Sequence, residues 1–302
     1  MPRIVFVLVP SVHLLEVAAP AQVFSIATDL GCDYRLHYVS DEPEVRSVQG
    51  LSLNVDVEWP PLTADDLVVV PGWRGPERMI GAGNARRLRE HHAAGGTVAG
   101  ICAGADALGR AGLLDGRRCT THHAIQEDLA RAYPATTVVR DVLYVSDDRI
   151  VTCAGVASAT DLALHLVSVR NGPVVAAAVA RTMVVYAGRD GGDPQLSPVL
   201  RHRSHVDEAV HRIQDLIDGR FTERLPLSLL AKAAGCSERS VTRLFRRAIG
   251  TTPLAYQQIL RLERAEHLID RGATVDAAAR EVGFTDARML RTLRARKQHE
   301  RG

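Results

Sequence analysis

No run of apolar residues in this chain approaches the roughly 20 that an α-helical bilayer span requires, the longest being stretches such as 4–10 and 174–180. The chain is therefore expected not to cross a membrane. Met1-Pro2-Arg3-Ile4 runs straight into a strand-like stretch, without the apolar core and small-residue cleavage site of a signal peptide, so a cytoplasmic location is expected. Cysteine is scarce. Cys32, Cys102, Cys119, Cys153 and Cys236 are odd in number and irregular in spacing, which excludes a disulfide framework and a zinc cluster. With 46% hydrophobic and 24% charged residues, collagen-like and disordered classes are excluded as well. What is present is a folded chain of 302 residues, enough for two domains at roughly 100 to 200 residues each. Its net charge of +2 is unevenly spread: residues 204–302 carry +5 and the rest −3. A basic carboxyl end hints at contact with nucleic acid there.

Over residues 1–188, short apolar strands alternate with amphipathic helices, the pattern of a parallel sheet covered on both faces. Residues 3–9 read as a central strand, with further strands at 34–40, 67–71 and 97–101 and helices at 14–30 and 77–94. Residues 138–145 and 149–153 read as a strand pair about Ser146-Asp147-Asp148, and 158–170 and 173–186 as two closing helices. The expected class is α/β, a doubly wound, flavodoxin-like parallel sheet. Residues 189–205, with Gly191, Gly192, Pro194 and Pro198, read as a linker. Residues 206–302 show helical spacing alone and read as an all-α domain.

That second domain contains a repeat of 48 residues, in which 227–241 align with 275–289. Each copy holds an alanine, a glycine and an apolar anchor at matched spacing: Ala231, Gly235, Val241 and Ala279, Gly283, Met289. The small residue lets two helices approach, the glycine supplies a left-handed turn, and the apolar residue anchors the second helix. Ser237 and Thr285 fall at the N-cap positions. Two tandem helix-turn-helix units follow. With Gly250, Pro253, Tyr256, Arg261, Leu262, Ala265 and Leu268 along a joining helix, and Gly283-Phe284-Thr285-Asp286 at the second turn, residues 213–296 resemble the DNA-binding domain of AraC/XylS regulators. The resemblance implies double-stranded DNA as a partner, a homodimer and contact with RNA polymerase. After Leu293 the chain lacks that family's usual glycine, proline and short closing helix, so a less well packed second unit is expected.

With Gly100-Ile101-Cys102-Ala103-Gly104 falling between a strand and a helix, the amino domain resembles the PfpI and class I glutamine amidotransferase-like superfamily over residues 3–188. Gly100-Ile101-Cys102-Ala103-Gly104 matches its cysteine elbow, and Thr120-Thr121-His122 and Thr152-Cys153-Ala154-Gly155 match later segments. The two halves together imply a GlxA-type regulator whose amino domain senses a small molecule or dimerises.

A Gly-x-Cys-x-Gly elbow between strand and helix exposes the sulfur, and the helix amino terminus is expected to lower the thiol pKa. Glu16 falls where the superfamily carries an acid, so its carboxyl is expected within hydrogen-bond reach of Cys102. Isocyanide hydratases, which are similar here, have Asp. Against catalysis, Ala103 stands where PfpI-type peptidases carry His, and His122 or His123 could replace it only if the fold brings one close. The alternative to a regulator is a cysteine-dependent hydratase or amidase-like enzyme with an appended DNA-binding domain. A ligand crevice is expected at the carboxyl ends of the strands, formed by Glu16, Pro71, Gly72, Trp73, Cys102, Ala103 and His122, near Pro10, and suited to a hydrogen-bonding head rather than a bare anion. Cys32, Cys119, Cys153 and Cys236 read as buried small hydrophobes. No cofactor or metal is expected, and His91-His92 reads as solvated.

On the first recognition helix Val241, Leu244 and Phe245 share an inward face, leaving Arg239, Thr242, Arg243 and Arg246 outside. Arginine suits the major groove because its fork matches the two acceptors of guanine. The resemblance implies base contacts for Arg239, Thr242 and Arg243 and, in the second unit, for Arg288, Arg291 and Thr292. Arg246, Arg247 and Arg294 are expected on phosphates.

Overall fold

The β-branched opening stretch forms β1 (Arg3–Val7), whose Ile4 to Val7 are fully buried. It lies parallel to β2 (Arg35–Val39) on one side and β5 (Leu67–Val70) on the other. β6 (Thr97–Ile101) and β10 (Ile150–Cys153) continue the parallel sheet, and β9 (Tyr144–Asp147) closes the edge antiparallel to β10, in the order β2-β1-β5-β6-β10-β9. Two small ribbons stand apart: β3 (Glu44–Arg46) with β4 (Ser52–Asn54), and β7 (Arg118–Cys119) with β8 (Thr137–Val138). The computed structural model describes residues 1–75, 80–185, 189–195, 205, 207–270 and 272–301, and the chain divides into two units, Met1–Gln195 and Leu196–Gly302.

Helices α1 (Leu14–Asp29), α2 (Ala82–Ala93), α3 (Gly104–Arg110), α4 (Gln126–Ala132), α5 (Ser158–Asn171) and α6 (Pro173–Thr182) complete the first unit. α1, α5 and α6 pack in one apolar cluster with Ile4, Phe6 and Ile101, whereas Ala85, Leu88 and Leu108 of α2 and α3 pack with Val5, Val7 and Val98. Alternate residues of each strand thus face opposite layers, as a doubly wound sheet requires. The strand expected over 138–145 is divided, because Asp141 is left-handed (φ 51°) and interrupts the extended path. The helix expected from 77 begins at Ala82, residues 76–79 lying outside those described, and α6 ends at Thr182, before the left-handed Val184, with residue 186 also outside them. Most of the expected linker, 196–204, lies outside the described residues. Its first part belongs to the first unit: Gln195 donates to the Thr121 and Val142 carbonyls, and Gly191 accepts from Leu143.

The solvated reading of His91 fails. Its ring is buried, with Nε2 3.2 Å from the Asp66 carbonyl oxygen. The fully buried Asp66 carboxylate pins the start of β1 to the approach to β5, accepting from Arg3 N at 2.6 Å and from Thr63 N and Oγ1 at 2.6 and 3.1 Å, with Arg3 Nη1 at 3.3 Å.

The second unit consists, among the described residues, of α7 (Glu208–Gly219), α8 (Leu227–Ala234), α9 (Glu238–Ile249), α10 (Pro253–Asp270), α11 (Val275–Glu281) and α12 (Ala287–Arg301). No helix among the described residues is long and apolar enough to cross a membrane. Gly235 (φ 67°) and Gly283 (φ 83°) both make the expected left-handed turns, and Ser237 caps α9 by accepting from Ser240 N. The second copy departs by one residue. Asp286 rather than Thr285 caps α12, accepting from Arg288 N at 2.8 Å. Leu290 is accordingly the buried anchor, and Met289, expected in that role, is 49% exposed. Cys236 is half-buried rather than buried, packed at the margin of the first apolar cluster of this unit. Arg261 of α10 ties the two helix-turn-helix units together: it donates to Phe221 O (2.6 Å), Glu223 O (2.8 Å) and Gly283 O (2.8 Å), and lies over the Phe284 ring.

Burial raises the Asp66 pKa, but the backbone and side-chain donors from Arg3 and Thr63 and the Arg3 charge outweigh it and leave it lowered. A lowered carboxyl stabilises the folded state above the ordinary range near about 3.9, and that contribution is lost as pH falls through its own lower value. Asp66→Asn is expected to cost about 2 kcal/mol at neutral pH. Urea unfolding of both proteins across pH checks this: the gap should narrow below about pH 4, and a gap constant with pH would contradict the role.

Candidate functional site

Because β1, β5, β6 and β10 run parallel, the loops after them meet at one edge of the sheet, and three non-glycine residues there are left-handed: Ser11 (φ 61°), Cys102 (φ 55°) and Val156 (φ 49°). A β-branched residue in this region is a backbone outlier, and each such position costs of order 1–3 kcal/mol unless its surroundings enforce it. For Cys102 and Val156 the enforcing group is Glu16, on the first turn of α1. Its fully buried carboxylate accepts from Gly72 N at 2.7 Å and Val156 N at 2.9 Å, and engages the Cys102 thiol. Loops after β5, β6 and β10 are thereby fastened to one carboxyl group. Gly155 (φ 88°) allows the close approach: a Cβ there would lie 2.2 Å from Cys102 Cβ and 2.7 Å from Glu16 Oε1. The elbow's Gly104 is equally constrained, since its Cβ would lie 2.0 Å from the Val70 carbonyl oxygen.

The elbow itself is held from two sides. Cys102 N donates to Cys153 O at 2.9 Å, and Thr121 Oγ1 donates to Cys102 O at 2.7 Å. Thr120 N donates to Thr152 Oγ1 at 2.8 Å, so the two later segments matched in the sequence both support the elbow.

The expected lowering of the thiol pKa is not found. Burial and then the Glu16 carboxylate push Cys102 well up, against the smaller opposing effect of the Ala103 N–H. Burial also raises Glu16, opposed by the Val156 and Gly72 N–H donors and by Cys102. Two backbone donors on the carboxylate leave the proton of the pair on sulfur. Cys153, beside it, is pushed up to about 12 by burial.

A cavity of about 430 Å³ opens over the sulfur, lined among others by His13, Trp73, Arg74, Cys102, Ala103, Arg110, His122, Ile125 and Leu129. Of the crevice residues expected from the sequence, Trp73, Cys102, Ala103 and His122 line it. Glu16, Pro71 and Gly72 do not: all three are buried, and the Gly72 backbone turns inward to Glu16 instead of outward to the cavity. Pro10 is likewise not in its lining. Trp73 is 8% exposed, packed in the second sheet layer and bridged to Val12. The sequence reading missed His13, Arg74 and Arg110. Burial and then Arg74 lower the His13 pKa; burial, then His123 and His13, lower that of His122. His122 Nδ1 accepts from Ala124 N, and its ring packs on His123. Among the described residues, the thiol's side-chain hydrogen bond is to Glu16 and none is to a histidine.

In the second unit Val241 and Phe245 are fully buried and Leu244 partly so, while Arg239, Arg243, Arg246 and Arg247 are exposed and Thr242 half-buried. Leu227, Glu238, Arg239, Thr242, Arg243 and Arg246 border a concavity of about 600 Å³. On α12, Arg288, Arg291 and Thr292 are exposed and Arg294 half-buried. Two of these are engaged locally: Arg291 pairs with Asp276 at 3.1 Å, and Thr292 Oγ1 donates to Arg288 O at 3.0 Å.

Residues 2–169 match the DJ-1/PfpI family, and residues 230–299 match a helix-turn-helix domain. The chain is similar to the HTH-type transcriptional regulator CdhR of Pseudomonas aeruginosa, with 29% identity across 87% of this chain and 79% of that protein. It is similar to an isonitrile hydratase of Pseudomonas putida, 31% identical across 75% of this chain and 97% of the enzyme. Among solved structures, an AraC family transcriptional regulator from Pseudomonas putida matches with a TM-score of 0.53 and 26% identity, covering 61% of this chain and all of that one.

Removing the Glu16 charge should free the thiol. Glu16→Gln is expected to accelerate alkylation of Cys102 by iodoacetamide at mildly alkaline pH several-fold, on the order of one pKa unit of lost repulsion, while lowering the melting temperature because an amide cannot accept from both loops as a carboxylate does. Mass spectrometry of the labelled peptide reads the rate; an unchanged or slower rate contradicts the assigned proton position.

Proposed function

The chain belongs to the DJ-1/PfpI family and is a DNA-binding transcriptional regulator, and on that premise we propose that its amino-terminal domain senses a small molecule in the cavity above Cys102 and works as a homodimer that reports to RNA polymerase. The observation that carries this reading is a cysteine elbow without a base, joined in one chain to two helix-turn-helix units. A nucleophilic thiol needs a partner that takes its proton. Here Glu16 is occupied by two backbone donors, Ala103 stands where a histidine would be, and the pair holds its proton on sulfur.

Arg239, Thr242 and Arg243 read bases in the major groove, which their place around one concavity and the exposure of the two arginines support. Arg246 and Arg247 meet phosphates. In the second unit Arg288, Arg291 and Thr292 take the corresponding positions, with Arg291 exchanging Asp276 for DNA, and Arg294 meets a phosphate.

The match to an isonitrile hydratase favours one second reading, a cysteine-dependent enzyme with a DNA-binding domain attached. Cys102→Ala separates the two, since the regulator keeps operator binding and the enzyme loses turnover.

Arg243→Ala is expected to weaken specific binding by roughly 1 to 3 kcal/mol and to relax preference at one base pair, whereas Arg247→Ala weakens all sequences alike. Titrations on operator and scrambled duplexes at fixed salt decide it. Equal losses on both duplexes for Arg243→Ala would remove that residue from base reading.

A further inference from the structure

The charges around the cavity are unbalanced in a way that specifies a ligand. Two carboxylates line it, and both are committed: Asp106 to Arg110 at 2.6 Å and to the Tyr133 hydroxyl at 2.8 Å, and Asp128 to Arg131 at 3.0 Å. Arg110 is neutralised by the first of these pairs. Arg74 has no carboxylate partner among the described residues, and the charges acting on the two imidazoles are Arg74 on His13, and His123 and His13 on His122. A guanidinium and two imidazoles that face no anion among the described residues form a site that an anion completes.

The tautomer of His122 fits this. Its Nδ1 accepts from Ala124 N, so the neutral ring carries its proton on Nε2, as a donor to a ligand. The remainder of the lining is largely apolar, through Trp73, Ile125 and Leu129, and among the described residues the one guanidinium of the lining without a carboxylate, Arg74, matches a single negative charge rather than a phosphate dianion.

Resting on the sensor reading above, we propose that the effector is a small monocarboxylate with a short apolar body, its carboxylate held by Arg74 and hydrogen-bonded by His13 and His122, and its body against Trp73, Ile125 and Leu129. The sequence led to an expected hydrogen-bonding head rather than a bare anion; the carboxylate proposed here is an anion that is also hydrogen-bonded. The buried Cys102–Glu16 pair supplies the floor beneath the ligand and takes no part in holding its charge.

The test uses the full chain and a homologous series from acetate to hexanoate, with benzoate, each set beside its uncharged amide at equal millimolar concentration. Binding is read by tryptophan fluorescence and by the shift in melting temperature. At least one acid is expected to bind, with its amide about tenfold or more weaker, the loss expected of a charge-assisted hydrogen-bonded pair. Arg74→Gln should lose the same factor while melting like the wild type in plain buffer, since Arg74 is exposed. Arg74→Lys should retain part of the affinity, and His122→Ala should weaken it separately. The carboxylate site is overturned if no acid binds, if amide and acid bind alike, or if Arg74→Gln binds as the wild type does. An acid that binds with this selectivity yet leaves operator affinity unchanged overturns the sensor reading and leaves the site standing.

Discussion

One buried carboxylate organises the carboxyl-end edge of the parallel sheet in the first unit. Glu16 is fully buried, and its two oxygens collect the backbone N–H groups of Gly72 and Val156 together with the Cys102 thiol. A charge in that position is tolerable only when its hydrogen bonds are satisfied. The demand runs the other way as well, since the left-handed Cys102 and Val156 persist because Glu16 gives their loops a common anchor. The shape of the cavity follows, with Trp73 and Arg74 one and two residues beyond Gly72, and Ala103 immediately after Cys102.

The same arrangement explains how a fold shared with an enzyme can serve a regulator. An elbow thiol becomes a nucleophile when a neighbour accepts its proton. Here the Glu16 carboxylate accepts from two backbone donors, burial and like charge raise the thiol pKa, and in the reading proposed above the strained turn serves as scaffold for a cavity. In the second unit Arg261 has the comparable structural role, joining the Phe221 to Glu223 segment ahead of α8 to the Gly283 turn ahead of α12.

Much of this was legible in the sequence, and the misses have physical causes. The apolar rhythm of 3–9, 67–71 and 97–101 located the central strands because parallel strands buried on both faces are continuously apolar. The Cys102 elbow and Glu16 were legible through the resemblance to the PfpI and class I glutamine amidotransferase-like superfamily. His13 and Arg74 were not, because they come from loops after different strands and meet only when the sheet is assembled; neither has a local pattern. The one-residue slip in the second helix-turn-helix unit arose because Asp286, a cap as good as Thr285, starts α12 one position later and turns Leu290 inward in place of Met289. His91 was misjudged because its partner is a backbone carbonyl, that of Asp66, which side-chain spacing does not reveal.

The central claim is that this chain acts by binding particular DNA sequences. Genome-wide mapping of the sites it occupies in cells tests that most directly. The account predicts a limited set of occupied promoters sharing a motif readable by two recognition helices in successive major-groove segments. Occupancy spread without any common motif would contradict it.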